Sequence, residues 1–288
     1  MLNKKYIFFD LDGTIFNSES KIPESTQKAL KMAQEKGHEV FINTGRCRPI
    51  IPKELISLNF DGLVCGTGGY IEYKGKKVFE KSFTEEQVKR VVDLSIKHDI
   101  PIVMSTFQEC VASAEDTAKY IKLFTNGQFD ISDFKSTEDL QRSPLLASMQ
   151  PYVIDDDKGN YHKKYQKVSD FIHIESPFTV AEMNEILGSD INVSKASFKA
   201  PEEYSGEITL SECTKGTGIN NLLKLVDANI EDSIAFGDGF NDVDMLKTAN
   251  LSIAMGNAPD EVKAISDYVT DDINSDGVYN ALKHFKLI

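Results

Sequence analysis

Short apolar runs, each ending in polar or glycine residues, recur towards both ends of this sequence. Four of these runs cover residues 6–9, 38–43, 233–236 and 251–255. Continuous apolar runs of this kind are typical of strands that are buried on both faces of a parallel sheet. Helices are predicted between them, for example at 25–36 and 215–226. The alternation predicts β-α-β units and therefore a doubly wound, Rossmann-like α/β core with a parallel sheet.

The pattern changes between residues 83 and 207, where short strands, helices and polar turns follow one another without strict alternation. The strand candidates cover residues 101–104, 109–113, 149–154, 171–174 and 191–198, and the helix candidates cover 84–98, 114–124 and 180–187. Such interleaving favours an α+β arrangement. We therefore predict a core formed by residues 1–82 and 208–288, with an α+β domain inserted at 83–207.

Composition narrows the class of protein. A length of 288 residues suits two domains of ~100–200 residues each. The net charge of -13 argues against a nucleic-acid or anionic-membrane surface, because both need a basic patch. No apolar stretch approaches the ~20 residues of a membrane span, and Asp10 and Asp12 end the first apolar run too early for a signal peptide. Four cysteines without paired spacing indicate a reduced, cytoplasmic protein.

Two carboxylates, Asp10 and Asp12, directly follow the first predicted strand. Parallel sheets bind ligands beyond the carboxyl ends of their strands, and side chains two apart in a strand share a face. Carboxylates held close together repel each other, which favours a cation between them or a proton on one of them. The alternative is ordinary turn chemistry, because Asp and Gly are common turn residues. This stretch alone does not decide between a site and a turn.

Three further loops are expected at the same edge of the sheet. They contain Thr44 and Gly45 after the second strand, Lys215 at a helix start, and Asp238, Asn241 and Asp242 before another helix. Each loop also has an ordinary explanation. Thr44 and Gly45 could form a turn, Lys215 could be a solvated lysine, and Asp242 could cap a helix. Together they offer carboxylates for a hard cation and a lysine, a hydroxyl and amides for an anion. This combination predicts a site that binds a phosphoryl group with Mg²⁺.

The four motifs, in this order and with an insert of this size, resemble those of haloacid-dehalogenase-superfamily hydrolases, specifically the Cof-type phosphatases with a class IIB cap. The matching stretches are D-L-D-G-T at 10–14, T-G-R at 44–46, K-G at 215–216 and G-D-G-F-N-D at 237–242, and D-G-V at 276–278 matches the family's ending. The resemblance implies that 83–207 is a cap that selects the substrate. It also implies a Mg²⁺-dependent phosphatase of small phosphorylated metabolites, such as sugar phosphates, that acts through an aspartyl-phosphate.

The resemblance further implies a role for each motif residue. Asp10 would be the nucleophile, and Asp12 would protonate the leaving group and then activate water. The metal would bind Asp10, the backbone carbonyl of Asp12 and Asp238, with Asp242 acting through water. The substrate-binding residues would be Thr44, Gly45, Arg46, Lys215 and Asn241. Of these, Asn241 would contact the phosphate or position Lys215, and Arg46 would face the substrate or the cap.

Two alternative functions stay open at this point. A phosphomutase of the same superfamily would return the phosphoryl group to a sugar, although the 237–242 loop is more similar to the hydrolase branch. A non-catalytic phospho-ligand-binding protein would have lost a motif residue, whereas Asp10, Asp12, Lys215 and Asp238 are all present. Residues 66–69 (G-T-G-G) depart from the Asn-Gly of many relatives, which affects specificity while still allowing close backbone approach. The sequence predicts neither the substrate nor the oligomeric state.

Overall fold

The chain forms two compact units. The computed structural model describes residues 4–52, 55, 58–134, 151–195, 201 and 203–288. The first unit comprises Met1–Gly45, Lys53–Glu80 and Cys213–Ile288, and the second comprises Arg46–Pro52 and Lys81–Glu212. The second unit extends beyond both ends of the insert predicted at 83–207. It also contains the segment 46–52, which the prediction placed in the core.

The first unit is built on an eight-stranded sheet. Its strands are β1 (Tyr6–Phe9), β2 (Glu39–Asn43), β3 (Gly62–Cys65), β4 (Tyr70–Tyr73), β5 (Lys76–Glu80), β12 (Ser233–Gly237), β13 (Leu251–Ala254) and β14 (Tyr268–Val269). They lie in the order β14-β13-β12-β1-β2-β3-β4-β5, with parallel pairing from β14 to β3 and antiparallel pairing beyond it. Strand β1 is interior to the sheet and all its residues are buried, as expected for a strand covered on both faces.

The described residues of the first unit form the helices α1 (Glu24–Glu35), α6 (Lys215–Leu225), α7 (Val243–Thr248), α8 (Asp260–Ala264) and α9 (Gly277–His284). Local sequence accounts for their ends. Pro23 precedes α1, and Gly37 follows it at a φ of +89° that suits glycine. At the start of α6, the Thr214 hydroxyl accepts a hydrogen bond from the backbone N–H of Thr217, which is a favourable N-cap. Thr214 therefore fixes the first turn of the helix that carries Lys215.

The register of β1 determines where the predicted site residues emerge. Phe9 is aligned with Phe236 of β12 on one side and with Ile42 of β2 on the other. Because the three strands are parallel, their carboxyl ends reach the same edge of the sheet. The loops that carry Asp10, Thr44 and Asp238 therefore leave the sheet side by side.

The second unit contains a six-stranded sheet with the order β10-β11-β9-β6-β7-β8. Its strands are β6 (Ile102–Thr106), β7 (Cys110–Ala112), β8 (Tyr152–Ile154), β9 (Val168–His173), β10 (Ile191–Lys195) and β11 (Gly206–Leu210). Among the described strands of this sheet, β7 and β8 pair in parallel and the other neighbours pair antiparallel. The described helices of this unit are α2 (Glu85–His98), α3 (Ala114–Phe124), α4 (Tyr161–Lys164) and α5 (Val180–Leu187). The predicted fold class, a parallel α/β core with an α+β insert, is confirmed.

Strand β11 is the main element that the sequence analysis did not predict. It pairs antiparallel with both β9 and β10, and it spans the predicted boundary at 207. The predicted strands at 149–154 and 191–198 are observed as β8 and β10, and residues 149–150 and 196–198 lie outside the described residues. Within the part of the chain that the structure describes, no helix is long and apolar enough to span a membrane.

Candidate active site

The central feature of the candidate site is a buried lysine held between two carboxylates. Lys215 begins α6 and is 1% exposed. Its Nζ donates to Asp10 Oδ1 at 2.5 Å and to Asp242 Oδ1 at 2.6 Å. Burial alone would lower the pKa of Lys215, but the charges of Asp10 and Asp242 outweigh it and raise the pKa above its ordinary value. The ammonium group therefore stays charged at neutral pH.

Asp242 also organises the loop after β12. It is fully buried, and its Oδ2 accepts hydrogen bonds from the backbone N–H groups of Asp238 and Gly239, each at 2.9 Å. Its other oxygen accepts from Lys215. The carboxylate thus fixes both the lysine and the backbone of the loop that carries Asp238.

Asp238 lies between two neutral hydrogen-bond donors. Its Oδ1 accepts from the Thr14 hydroxyl at 3.0 Å, and its Oδ2 accepts from Asn257 Nδ2 at 3.3 Å. The Asp238 carboxylate also packs against Gly13, whose φ is +86° and where an added Cβ would lie 2.0 Å from Asp238 Oδ2. Only glycine fits at position 13, because of both the backbone conformation and this close approach.

The carboxylates of Asp10, Asp238 and Asp242 form one anionic cluster, in which one oxygen from each lies within 4.8 Å of the others. Burial raises the pKa of Asp10 to about 8, and the nearby charge of Asp242 adds to the effect against the opposing charge of Lys215. Burial and the charge of Asp242 likewise raise the pKa of Asp238 to about 7. A single lysine therefore does not balance the three carboxylates.

These oxygen donors fit a divalent cation. Hard cations such as Mg²⁺ bind carboxylate oxygens, and a cation here would offset the burial and the carboxylate repulsion that raise the two pKa values. Among the residues that the structure describes, this is the one group of three or more His, Cys, Asp or Glu side chains placed to hold a metal. The structure thus brings together four residues that the sequence predicted to share one site, Asp10, Lys215, Asp238 and Asp242.

The other predicted site residues lie in different environments. Asp12 is exposed two residues beyond Asp10 and forms a β-bridge with Phe16. Thr44 is buried, and its backbone N–H donates to Val64 O at 2.9 Å. Gly45 is half-buried, and Asn241 is exposed in the middle of the turn that precedes α7. Arg46 is half-buried, belongs to the second unit and donates through Nη1 to Ile50 O at 3.4 Å.

Residues 66–69 pack closely against the start of α6. An added Cβ at Gly68 would lie 2.3 Å from the carbonyl oxygen of Thr214, and one at Gly218 would lie 2.5 Å from Val64 Cγ1. The backbone N–H of Thr67 donates to Thr44 O at 3.3 Å. The glycines that depart from the family's Asn-Gly therefore let this loop lie directly against the turn that carries Lys215.

We expect Gly68→Ala to destabilise the protein more than Gly37→Ala does. Both glycines have nearly the same positive φ, +90° and +89°, but a Cβ at Gly37 has no atom within 4 Å. Gly37→Ala should therefore lower the free energy of unfolding by about 1 kcal/mol through backbone strain alone. Gly68→Ala should cost a further 1–3 kcal/mol or so because it overpacks the α6 contact. Urea unfolding of the two variants compares them, and equal midpoints would contradict the close packing.

Three residues at the site were not among the predicted site residues. Thr14 and Asn257 hold Asp238, as described above, and Asn43 donates from Nδ2 to the backbone carbonyl of Lys215 at 2.8 Å. Thr14 lies within the first motif, and Asn43 directly precedes Thr44, so both were adjacent to predicted positions. Asn257 follows β13, whose carboxyl end reaches the same sheet edge, and this position was the available signal.

Comparison with known proteins identifies the family. The sequence model of the haloacid dehalogenase-like hydrolases matches residues 7–282. This chain belongs to that family. The predicted hydrolase of the haloacid dehalogenase superfamily is therefore confirmed.

Two relatives and one solved structure match this chain over nearly their whole length. YkrA of Bacillus subtilis (strain 168), whose name assigns it provisionally to the phosphatases, is 26% identical over 298 residues, covering 100% of both chains. YcsE of the same strain, named as 5-amino-6-(5-phospho-D-ribitylamino)uracil phosphatase, is 27% identical and covers 98% of this chain and 96% of its own. The solved structure of the subclass IIB sugar phosphatase BT4131 is 27% identical, with a TM-score of 0.75 and coverage of 99% of this chain and 100% of that one. These names agree with the predicted phosphatase activity.

Proposed function

We propose that this haloacid dehalogenase-like hydrolase is a Mg²⁺-dependent phosphatase that hydrolyses phosphate monoesters of small metabolites through an aspartyl-phosphate. The observation that carries the proposal is the buried ion pair of Asp10 and Lys215 beside the carboxylates of Asp238 and Asp242. It combines a candidate nucleophile, a fixed positive charge and oxygen ligands for a cation at one edge of the sheet.

Asp10 is the proposed nucleophile. Lys215 binds Oδ1, so we assign the attack on phosphorus to Oδ2. The Oδ2–P bond forms as the bond between phosphorus and the leaving oxygen breaks. The attacking carboxylate must be ionised, and the charge of Lys215 favours this form against the burial that raises the pKa of Asp10. Phosphoryl transfer depends mainly on placement and on neutralisation of charge. The buried and doubly fixed Lys215 supplies both for the attacking carboxylate.

Asp12 is the proposed acid and base. In the first step, it donates its proton to the leaving alkoxide. In the second, it accepts a proton from the water whose oxygen attacks phosphorus, which breaks the Oδ2–P bond, releases inorganic phosphate and regenerates Asp10. Asp12 is exposed, whereas Asp10 is buried and paired with Lys215, so the two carboxylates have different environments, as their different proposed roles require.

Asp10, Asp238 and the backbone carbonyl of Asp12 would hold Mg²⁺, which when bound supplies positive charge to the phosphoryl oxygens. Asp242 would contribute its charge to this site, with contact to the metal through water, while fixing Lys215 and the Asp238 loop. Thr44, Gly45, Lys215 and Asn241 are the proposed contacts to the phosphoryl group, and Arg46 is a proposed contact to the rest of the substrate.

The proposed substrates are phosphate monoesters carried by small polyhydroxylated metabolites. YcsE is named for a phosphoribityl compound and BT4131 for sugar phosphates, and both kinds of substrate present a phosphate on a hydroxylated carbon chain.

A cytoplasmic location remains a prediction from the cysteine content. The assignment of the insert as a cap that selects the substrate is a prediction from the family resemblance.

The proposal predicts metal-dependent release of inorganic phosphate. Purified protein should hydrolyse para-nitrophenyl phosphate with Mg²⁺, lose this activity with EDTA and regain it when Mg²⁺ is added in excess. Full activity in EDTA would contradict the metal requirement. With a sugar phosphate as substrate, transfer of the phosphoryl group to another position without release of phosphate would instead support the phosphomutase.

A further inference from the structure

The side chain of Asn257 joins three segments of the first unit next to the carboxylate cluster. Its Nδ2 donates to Gly13 O at 2.9 Å, in the turn after β1, and to Asp238 Oδ2 at 3.3 Å, in the loop after β12. Its Oδ1 accepts from the backbone N–H of Ile273 at 3.1 Å. One amide thus links both loops that carry the proposed metal ligands to a third, separate segment.

The orientation of this amide is determined by its neighbours. Gly13 O and Asp238 Oδ2 can only accept hydrogen bonds, so they must face the NH₂ group. The Ile273 N–H can only donate, so it must face the carbonyl oxygen. Rotating the amide by half a turn would oppose all three contacts, and the side chain therefore has one orientation that satisfies its partners.

The anchoring segment is itself closely packed. The backbone N–H of Gly256 donates to Asp271 O at 3.0 Å, and an added Cβ at Gly256 would lie 2.4 Å from the backbone nitrogen of Asp272. Asn257 therefore projects from a backbone that has little room to shift. It can hold Gly13 and Asp238 at a fixed separation from each other.

The donors that hold Asp238 are uncharged. Thr14 binds one of its oxygens and Asn257 the other, so the carboxylate is oriented without being neutralised by a cationic side chain. Each carboxylate oxygen has two acceptor sites, which leaves capacity for a metal on an oxygen that already accepts a hydrogen bond. Uncharged partners of this kind orient ligands and maintain metal affinity in metal sites.

We propose that Asn257 is a positioning residue of the metal site, which holds the Asp238 carboxylate and the turn of Gly13 in the arrangement that binds a divalent cation. This inference rests on the proposed function, because it assumes that the carboxylate cluster binds a metal. Asn257 acts through Asp238 and through the backbone next to Asp12, and the proposal gives it no contact with the substrate.

Binding of Mn²⁺ alone, without substrate, tests the proposal. The dissociation constant can be measured from the loss of the electron paramagnetic resonance signal of free Mn²⁺ as protein is added. Asn257→Ala should weaken binding about tenfold or more, the effect usual for the partners of metal ligands. Asn257 is exposed, so the variant should fold, and circular dichroism without metal checks this. If it does not fold, Asn257→Ser replaces it, with one donor in place of two.

Asn160→Ala is the matched control. Asn160 is also exposed and donates through Nδ2 to a carboxylate, Asp157 Oδ1 at 2.8 Å, but both residues belong to the second unit and neither is a proposed metal ligand. Its Mn²⁺ affinity should equal that of the wild type. Unchanged affinity in Asn257→Ala, or an equal loss in both variants, would overturn the positioning role. The proposed metal site itself fails if the wild type does not bind Mn²⁺, or if Asp238→Asn leaves Mn²⁺ binding unchanged. These two measurements therefore test the metal site separately from the role of Asn257.

Discussion

Asp10→Asn should reduce the turnover number at least about a thousandfold, because loss of a catalytic nucleophile removes most of the rate enhancement. An amide has no ionised oxygen to attack phosphorus. The fold should survive, since the substitution keeps the shape of the side chain and removes a buried charge that Asp242 and Asp238 repel. Lys215 retains its ion pair with Asp242. Steady-state kinetics with para-nitrophenyl phosphate and urea unfolding measure the two effects separately.

Asp116→Asn provides the control for this substitution. Asp116 is also buried, and it accepts from Lys158 Nζ at 2.5 Å, the same distance that joins Lys215 to Asp10. It lies in the second unit and has no proposed catalytic role. Its replacement should leave turnover essentially unchanged. Near-normal turnover in Asp10→Asn, or an equal loss in both variants, would contradict the nucleophilic role of Asp10.

Lys215→Met should remove both activity and stability. The substitution leaves Asp10 and Asp242 without their buried positive partner, and breaking a buried ion pair from one side costs about 3–5 kcal/mol of unfolding free energy. Turnover should fall on the order of a hundredfold or more, because the site loses a fixed charge that stabilises the transferring phosphoryl group. Added Mg²⁺ should restore part of the stability, since the cation opposes the same carboxylate repulsion, but it should not restore turnover.

Lys158→Met separates these two effects. Lys158 is largely buried and pairs with the buried Asp116, so its replacement should also destabilise the protein. Because Lys158 lies in the second unit and has no proposed catalytic role, turnover at a temperature where the variant is folded should match the wild type. Loss of turnover in Lys158→Met equal to that in Lys215→Met would show that destabilisation alone explains the result.

The sequence was sufficient to predict the core sheet because its strands leave a local signal. Continuous apolar runs such as residues 6–9 identify strands buried on both faces, and helices between them require parallel pairing. Parallel pairing in turn places the carboxyl ends of these strands at one edge of the sheet. Asp10, Lys215 and Asp238 were therefore predicted to meet, although Lys215 lies 205 positions from Asp10.

Other features depend on pairings that local sequence does not specify. Strand β11 is short, and its place in the second sheet is defined by antiparallel pairing with β9 and β10. Asn257 carries no motif signal, because its importance comes from three contacts with segments distant in the chain.

The most direct test of the central claim is to trap the phosphoryl group on Asp10. Wild-type protein with Mg²⁺ is mixed with a substrate that carries a radiolabelled phosphoryl group, quenched rapidly in acid, and digested for peptide mapping. We expect the label in the peptide that contains Asp10 and no label in Asp10→Asn. The labelled group should be reduced by borohydride, as an acyl phosphate is. Label on a different residue, or no covalent label during rapid turnover, would contradict the aspartyl-phosphate mechanism.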